Sequence, residues 1–194
     1  APQHRLLKLG LKGKHVTPAE VPGTNLVFLI DTSGSMNDEN KLPLLKQAFA
    51  LLVQQLDAID RVSIVAYAGS AGVVLPPTPG DQRGAIVGAL DRLEAGGSTN
   101  GGEGIQLAYK LAAEGFVKGG INRVVLATDG DFNVGVIDNA ALVRLIEEER
   151  KSGVFLTILG VGRGNYQDAR MEKLAGAGNG QAAYLDTPLE AERV

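Results

Sequence analysis

The chain has 194 residues, no cysteine, and a formal net charge of −3 from 19 basic and 22 acidic side chains. Hydrophobic residues make up 44% and charged residues 21%, which is typical of a globular protein and excludes a largely disordered chain. The missing cysteines exclude disulfides, thiolate zinc sites and cysteine catalysis, and the lack of a basic block with few aromatic residues argues against nucleic-acid binding.

The first 23 residues differ in sequence pattern from the rest of the chain. Basic and apolar residues alternate there and are followed by a turn-rich stretch, so we interpret residues 1–23 as an N-terminal arm or linker from a neighbouring segment. The chain begins Ala-Pro-Gln without methionine, so we expect it to be a fragment whose export signal or anchor could lie upstream. No apolar run reaches membrane-spanning length, and we expect no membrane insertion by this fragment.

From residue 24 to residue 194, short β-branched runs alternate with longer amphipathic segments. Strands are predicted at 25–31, 61–69, 122–130, 154–162 and 182–186, with a short antiparallel edge strand in the proline-containing run 73–79. Helices are predicted at 41–56, 81–93, 102–116, 140–153 and 168–178. This alternation predicts one Rossmann-like, doubly wound α/β domain, with a mostly parallel sheet of about six strands and helices on both faces.

Polar loops follow two of the predicted strands. The sequence D-T-S-G-S spans 31–35 after the first strand, and D-G-D-F-N spans 129–133 after the fourth. A glycine-rich loop at 96–102 carries two further hydroxyls ahead of a helix. Because ligands of open α/β sheets bind beyond the carboxyl ends of the strands where strand order reverses, we expect the three loops to converge if the first and fourth strands are neighbours.

Carboxylates brought together by these loops would repel one another. A divalent cation bound between them would remove the free-energy cost of that repulsion. Oxygen donors from carboxylate, serine and threonine favour Mg²⁺, Mn²⁺ or Ca²⁺ over softer metals, and small hydroxyl ligands suit the compact coordination sphere of Mg²⁺. The sequence therefore predicts a Mg²⁺-type site.

The three pieces together carry a specific resemblance. D-x-S-x-S after an apolar strand, a threonine in a glycine-rich loop and T-D-G after a later strand resemble the von Willebrand factor type A domain, and more narrowly bacterial proteins that carry it. The resemblance covers about residues 24 to 194 and implies a metal-ion-dependent adhesion site (MIDAS). By this resemblance Ser33, Ser35 and Thr99 would ligate the ion directly, and Asp31 and Asp129 would hold it directly or through water.

The resemblance also implies a function. In that family an aspartate or glutamate from a partner protein fills the open metal position, so the chain is expected to be a metal-dependent adhesion or assembly module rather than an enzyme. The isolated domain is expected to be monomeric, and a place at the bacterial cell envelope rests on the resemblance alone. Asp131 is not among the five signature residues, and its role stays open.

Two other functions are weighed against this one. Asp129 and Asp131 nearly match the nucleophile loop of Mg²⁺-dependent phosphotransferases of the haloacid-dehalogenase type, but Asn133 stands where threonine or valine is expected. The run 159–165 nearly matches a dinucleotide-binding loop, but Asn165 replaces its third glycine. Serine hydrolysis lacks an evident base, because the only histidines, His4 and His15, lie in the N-terminal arm.

Overall fold

The computed structural model of this chain describes residues 22–98, 101–130, 139–162, 168–187 and 190. The strands found in these residues are, in chain order, β1 Thr24–Asp31, β2 Arg61–Tyr67, β3 Ala71–Pro79, β4 Ile121–Thr128, β5 Val154–Val161 and β6 Ala182–Leu185. The helices are α1 Leu42–Val53, α2 Arg83–Asp91, α3 Gly101–Glu114, α4 Asn139–Glu149 and α5 Asp168–Ala177, with short 3₁₀ turns at Gly34–Asn37 and Arg150–Ser152.

The strands form one sheet in the order β3-β2-β1-β4-β5-β6. β1 pairs in parallel with β2 on one side and with β4 on the other, and only the pair β2–β3 is antiparallel. The chain thus builds outward from β1 in one direction and then returns to build outward in the other. Strand order reverses between β1 and β4, which confirms the predicted fold class. It also meets the condition for convergence of the loops, that the first and fourth strands are neighbours.

Helices cover both faces of the sheet because the central strands are apolar on both sides. Along β1, Phe28 and Ile30 pack in the layer under α1 and α2, whereas Val27 and Leu29 pack in the layer under α3, α4 and α5. The rings of Phe28 and Phe49 stack in parallel with centroids 4.0 Å apart, which fixes α1 against β1. This double coverage is why β1 reads as a continuous apolar run in the sequence.

The edge strand β3 is longer than the run predicted at 73–79. Ile64 pairs with Leu75 and Val62 pairs with Thr78, so the register shifts between these pairs. Pro76 and Pro77 fall inside this shift, where the backbone makes no regular ladder. An irregular edge therefore accommodates residues that a central strand would exclude.

Most of the N-terminal arm, residues 1–21, lies outside the described residues, so the boundary at residue 23 stays a prediction. None of the helices in the described part of the chain is both long and apolar enough to span a membrane.

Candidate functional site

Four of the five predicted site residues lie at the carboxyl edge of the sheet. Asp31 is the last residue of β1, Ser33 caps the 3₁₀ turn that contains Ser35, and Asp129 comes directly after β4. Because β1 and β4 are adjacent, these residues come together at the point where strand order reverses. The fifth, Thr99, lies outside the described residues, and its place at the site stays a prediction.

The carboxylate of Asp31 is fully buried, at 0% exposure, and is held from both oxygens. Its Oδ1 accepts a hydrogen bond from the backbone N–H of Ser33 at 2.9 Å. Its Oδ2 accepts from the hydroxyls of Tyr67 and Thr128, each at 3.2 Å. Donors from β2, β4 and the following turn therefore fix this side chain in one orientation.

The turn after β1 folds its two serines onto each other. The hydroxyl oxygens of Ser33 and Ser35 lie 3.1 Å apart, with Ser33 buried and Ser35 exposed. The start of the glycine-rich loop lies against this turn, because Gly96 N–H donates to Thr32 O at 2.7 Å and Gly34 N–H donates to Gly97 O at 3.1 Å. The predicted convergence of these two loops is confirmed for the described residues up to 98.

Asp129 is held by a lysine that the sequence pattern did not indicate. The ammonium of Lys41 donates to Asp129 Oδ2 at 3.0 Å and to the backbone carbonyl of Ser35 at 2.8 Å. The Asp129 side chain is 1% exposed and that of Lys41 is 15% exposed, so the ion pair is largely shielded from water. Lys41 thus links the loop after β1 to the loop after β4.

Burial and neighbouring charges shift the pKa values of Asp31 and Tyr67. Burial raises the pKa of Asp31 above its usual range, the hydrogen bonds from Ser33 lower it, and the negative charge of Asp129 raises it further. Burial and the charge of Asp31 raise the pKa of Tyr67, so its hydroxyl stays protonated and remains a donor. The site therefore brings together two carboxylates, each of which makes ionisation of the other less favourable.

Three contributors to the site were missed at the level of sequence. Thr128 stands inside T-D-G, and a hydroxyl beside a buried aspartate could have drawn attention to it. Tyr67 gave a weaker signal, as a polar-tipped residue at the end of an apolar strand. Lys41 gave none, since it resembles the ordinary first residue of an amphipathic helix.

Among the described residues, the candidate site contains too few acidic side chains to be a cage built of carboxylates alone. Across the described ranges, no three His, Cys, Asp or Glu side chains group in a way that could hold a metal ion. Hydroxyls would therefore have to supply donors beside Asp31 and Asp129. The loop 131–138, with Asp131, and the rim residues 163–167 lie outside the described residues.

A known protein family matches the part of the chain that contains the candidate site. The sequence pattern of the von Willebrand factor type A domain matches residues 26–131, which is more than half of the chain. The chain belongs to this family. The match begins within β1 and ends just after β4, and so includes most of β1, all of β4 and the residues of the candidate site.

Relatives of this von Willebrand factor type A domain include a bacterial protein and structures of similar fold. The uncharacterized Escherichia coli protein YfbK is 48% identical over 192 residues, which cover 99% of this chain and 33% of YfbK. The chain therefore spans about a third of that relative's length. A von Willebrand factor type A structure from Catenulispora acidiphila has a TM-score of 0.72 at 24% identity, covering 90% of this chain and 41% of its own.

A third similar structure is proximal thread matrix protein 1 from the mussel byssus, described with a zinc-occupied MIDAS motif. Its TM-score is 0.68 at 20% identity, and the match covers 89% of this chain and 44% of the mussel protein chain. At this identity the likeness shows the shared fold. It supports the sheet topology and the position of the loops at its carboxyl edge.

Proposed function

We propose that this von Willebrand factor type A domain binds a hard divalent cation and, through it, an acidic side chain of a partner protein. The protein donors would be Asp31, Ser33, Ser35, Thr99 and Asp129. One observation carries the proposal: the oxygens of two carboxylates and two hydroxyls gather at the switch point of the sheet, on loops anchored to adjacent strands. The zinc-occupied MIDAS motif of the mussel protein supports a divalent ion at such a site.

The donor chemistry fits the ion. Every donor is an oxygen, which favours Mg²⁺, Mn²⁺ or Ca²⁺ over metals that prefer sulfur. The two carboxylates are buried and repel each other, so a cation between them would relieve the effect that raises the pKa of Asp31. The hydrogen bonds from Tyr67 and Thr128 would hold the Asp31 carboxylate in place for that contact.

Binding is favoured over catalysis because, among the residues that the structure describes, no histidine lies at the site to act as a base for its hydroxyls. Ser33 and Ser35 contact each other, and both histidines of the chain precede residue 22, outside the described part. Asp129 follows the fourth strand, whereas the nucleophile loop of the phosphotransferase alternative follows the strand that opens the fold. A bound divalent ion would supply a positive centre to which a partner's aspartate or glutamate could bind.

A metal titration tests the site. Chelator-treated protein is titrated with Mg²⁺, Mn²⁺, Ca²⁺ and Zn²⁺ by calorimetry, in the wild type and in Asp31→Ala and Thr99→Ala. We expect each substitution to weaken metal binding at least about tenfold, as losing one ligand or its support commonly does. Asp57→Ala is the matched control, because it removes an exposed carboxylate at the opposite edge of the sheet. Equal affinities in all four proteins would refute the ligand assignment.

A second measurement addresses the partner's carboxylate. Water-proton relaxation by bound Mn²⁺ falls when a ligand replaces a coordinated water, so acetate serves as the probe and acetamide as its neutral counterpart. We expect acetate to lower the relaxation enhancement of the Mn²⁺-loaded wild type and acetamide to leave it unchanged. A site that binds Mn²⁺ but responds to neither would be a structural metal site rather than a docking site.

A further inference from the structure

Lys41 places a positive charge inside the proposed metal site. Its Nζ lies 3.0 Å from Asp129 Oδ2 and 2.8 Å from the carbonyl oxygen of Ser35. Asp129 is one of the two carboxylates proposed to bind the cation, and the Ser35 carbonyl belongs to the turn that carries two of the proposed hydroxyl donors. Lys41 is 88 residues from Asp129 in sequence, so the fold alone brings them together.

Packing fixes the route of the Lys41 side chain. Lys41 directly precedes α1, and its backbone carbonyl accepts a hydrogen bond from Leu45 N–H at 2.9 Å. Its aliphatic stem crosses Gly162 just beyond β5, where an added Cβ would come within 2.9 Å of Cε and 3.1 Å of Cγ. The missing side chain at Gly162 makes the groove along which Lys41 reaches Asp129. The Lys41 side chain is therefore held in place by packing, and it is not a freely moving surface lysine.

The ammonium and a divalent ion would share the same oxygen donor. The lysine is only 15% exposed and its acidic partner 1%, so water screens the pair weakly. A divalent ion at the proposed site would have to share Asp129 with a like charge or displace it. We propose that Lys41 is a built-in competitor of the divalent ion, and that it sets the metal affinity of the site. The inference rests on the proposed function, because it assigns a regulator to the same site.

The decisive variant is Lys41→Met, which keeps most of the stem and removes the charge. We expect it to bind Mn²⁺ about 10- to 100-fold more tightly than the wild type, from the Coulomb energy of a unit charge a few ångströms from a divalent ion. Lys151→Met is the matched control, since it makes the same change in net charge at the amino-terminal end of β5, where Lys151 pairs with Glu148. Lys151→Met should bind Mn²⁺ within about twofold of the wild type.

A stability measurement provides a readout that does not depend on metal affinity. In chelator, Lys41→Met should unfold at a lower temperature than Lys151→Met, because it leaves the Asp129 carboxylate buried without the Lys41 charge. Saturating Mn²⁺ should then raise its unfolding temperature more than it raises that of the wild type. Lys41→Arg, which retains the charge, should stay closer to the wild type than Lys41→Met in metal affinity.

The outcomes separate this inference from the proposed function. If the wild type binds Mn²⁺ and Lys41→Met binds no more tightly than Lys151→Met, Lys41 is not a competitor and the metal site stands. If neither the wild type nor Lys41→Met binds any of the four metals, the metal site itself is wrong and the inference fails with it. Binding by Lys41→Met alone would support both, with Lys41 blocking the site.

Discussion

The two ends of the strand pair β1 and β4 use buried polar residues in opposite ways. At the amino end, Asn25 and Asn122 face each other across the pair, and both are buried. At the carboxyl end, Asp31 is the last residue of β1 and Asp129 directly follows β4, and both are also buried. The same two strands thus carry a pair of neutral amides at one end and a pair of carboxylates at the other.

The amides at the amino end bond to groups that the chain itself fixes. Asn122 Oδ1 accepts from Val117 N–H at 2.8 Å and from Asn25 Nδ2 at 3.2 Å, and its own Nδ2 donates to Val117 O at 2.9 Å. Asn25 Nδ2 also donates to Ala112 O at 2.9 Å, which ties the end of α3 to the sheet. These bonds join loops to strands and involve no charge.

The two carboxylates at the other end are oriented by neighbouring groups, but their like charges cannot offset each other. Hydroxyls and one backbone N–H orient Asp31, and Lys41 offsets part of the charge of Asp129. Like charges in a buried place cost free energy that neutral amides do not. The contrast teaches that burial alone does not mark a site: the amino end stabilises the fold, and the carboxyl end is destabilised in a way that a cation could relieve.

Removal of Asn122 should give the largest effect on stability and none on metal binding. Asn122→Ala loses three hydrogen bonds and leaves the partly buried backbone groups of Val117 without this partner. We expect the free energy of unfolding to fall by about 2–4 kcal/mol in urea denaturation. The Mn²⁺ affinity of the protein that remains folded should stay within about twofold of the wild type, as for a distant independent site.

Asn37→Ala provides the control for this change, because it removes the same side chain from an exposed position in the 3₁₀ turn. Its stability should change by less than about 0.5 kcal/mol. A tenfold loss of metal affinity in Asn122→Ala would break the comparison, since it would show that the two ends are coupled through β1 and β4.

The contrast also shows which parts of the molecule a sequence can reveal. Strands such as β1 were predictable because apolar runs and polar breaks are local signals, and Asp31, Ser33 and Ser35 because three oxygens fall within five residues. The contact of Lys41 with Asp129 was not predictable, because it depends on α1 starting beside the end of β5 and on a missing Cβ there. Thr99 shows the converse, as its assignment still rests on the sequence alone.

A pair of glycines extends the comparison to β5, with an intermediate expected effect. Gly153 precedes the strand with φ +92° and caps the 3₁₀ turn Arg150–Ser152, and Gly162 follows the strand with φ +87°. Alanine at either position should cost roughly 1–2 kcal/mol because L-residues rarely adopt this conformation. Only at Gly162 would the new Cβ also crowd Lys41, since at Gly153 the nearest neighbour is Phe116 at 3.6 Å.

Metal affinity separates the two glycine variants. Gly162→Ala should displace the stem of Lys41 and so change the affinity for Mn²⁺, in the direction of tighter binding, whereas Gly153→Ala should leave it as in the wild type. Urea denaturation and calorimetry on the two proteins give both quantities. Identical affinities for Gly162→Ala, Gly153→Ala and the wild type would mean that the position of the lysine stem does not govern the metal site.

The smallest expected effect on stability comes from the charge of Asp31. It tests whether this carboxylate serves metal binding or stabilises the fold. Because burial raises the pKa of Asp31, its contribution to stability is greatest below the usual aspartate pKa of about 4 and is lost as pH rises through the raised value. Asp31→Asn keeps the shape and lacks this titration. In metal-free buffer above that range, we therefore expect it to be more stable than the wild type, by on the order of 1 kcal/mol.

This advantage should vanish at low pH, where the wild-type carboxyl is protonated, and urea denaturation of both proteins across the acid range measures it. Subtracting one profile from the other removes the contribution of every group that behaves alike in the two proteins. Saturating Mn²⁺ should reverse the order at neutral pH, because only the wild type gains the free energy of metal binding. A variant that is less stable than the wild type in metal-free buffer at neutral pH would show that Asp31 stabilises the fold, as Asn122 is expected to do at the opposite end.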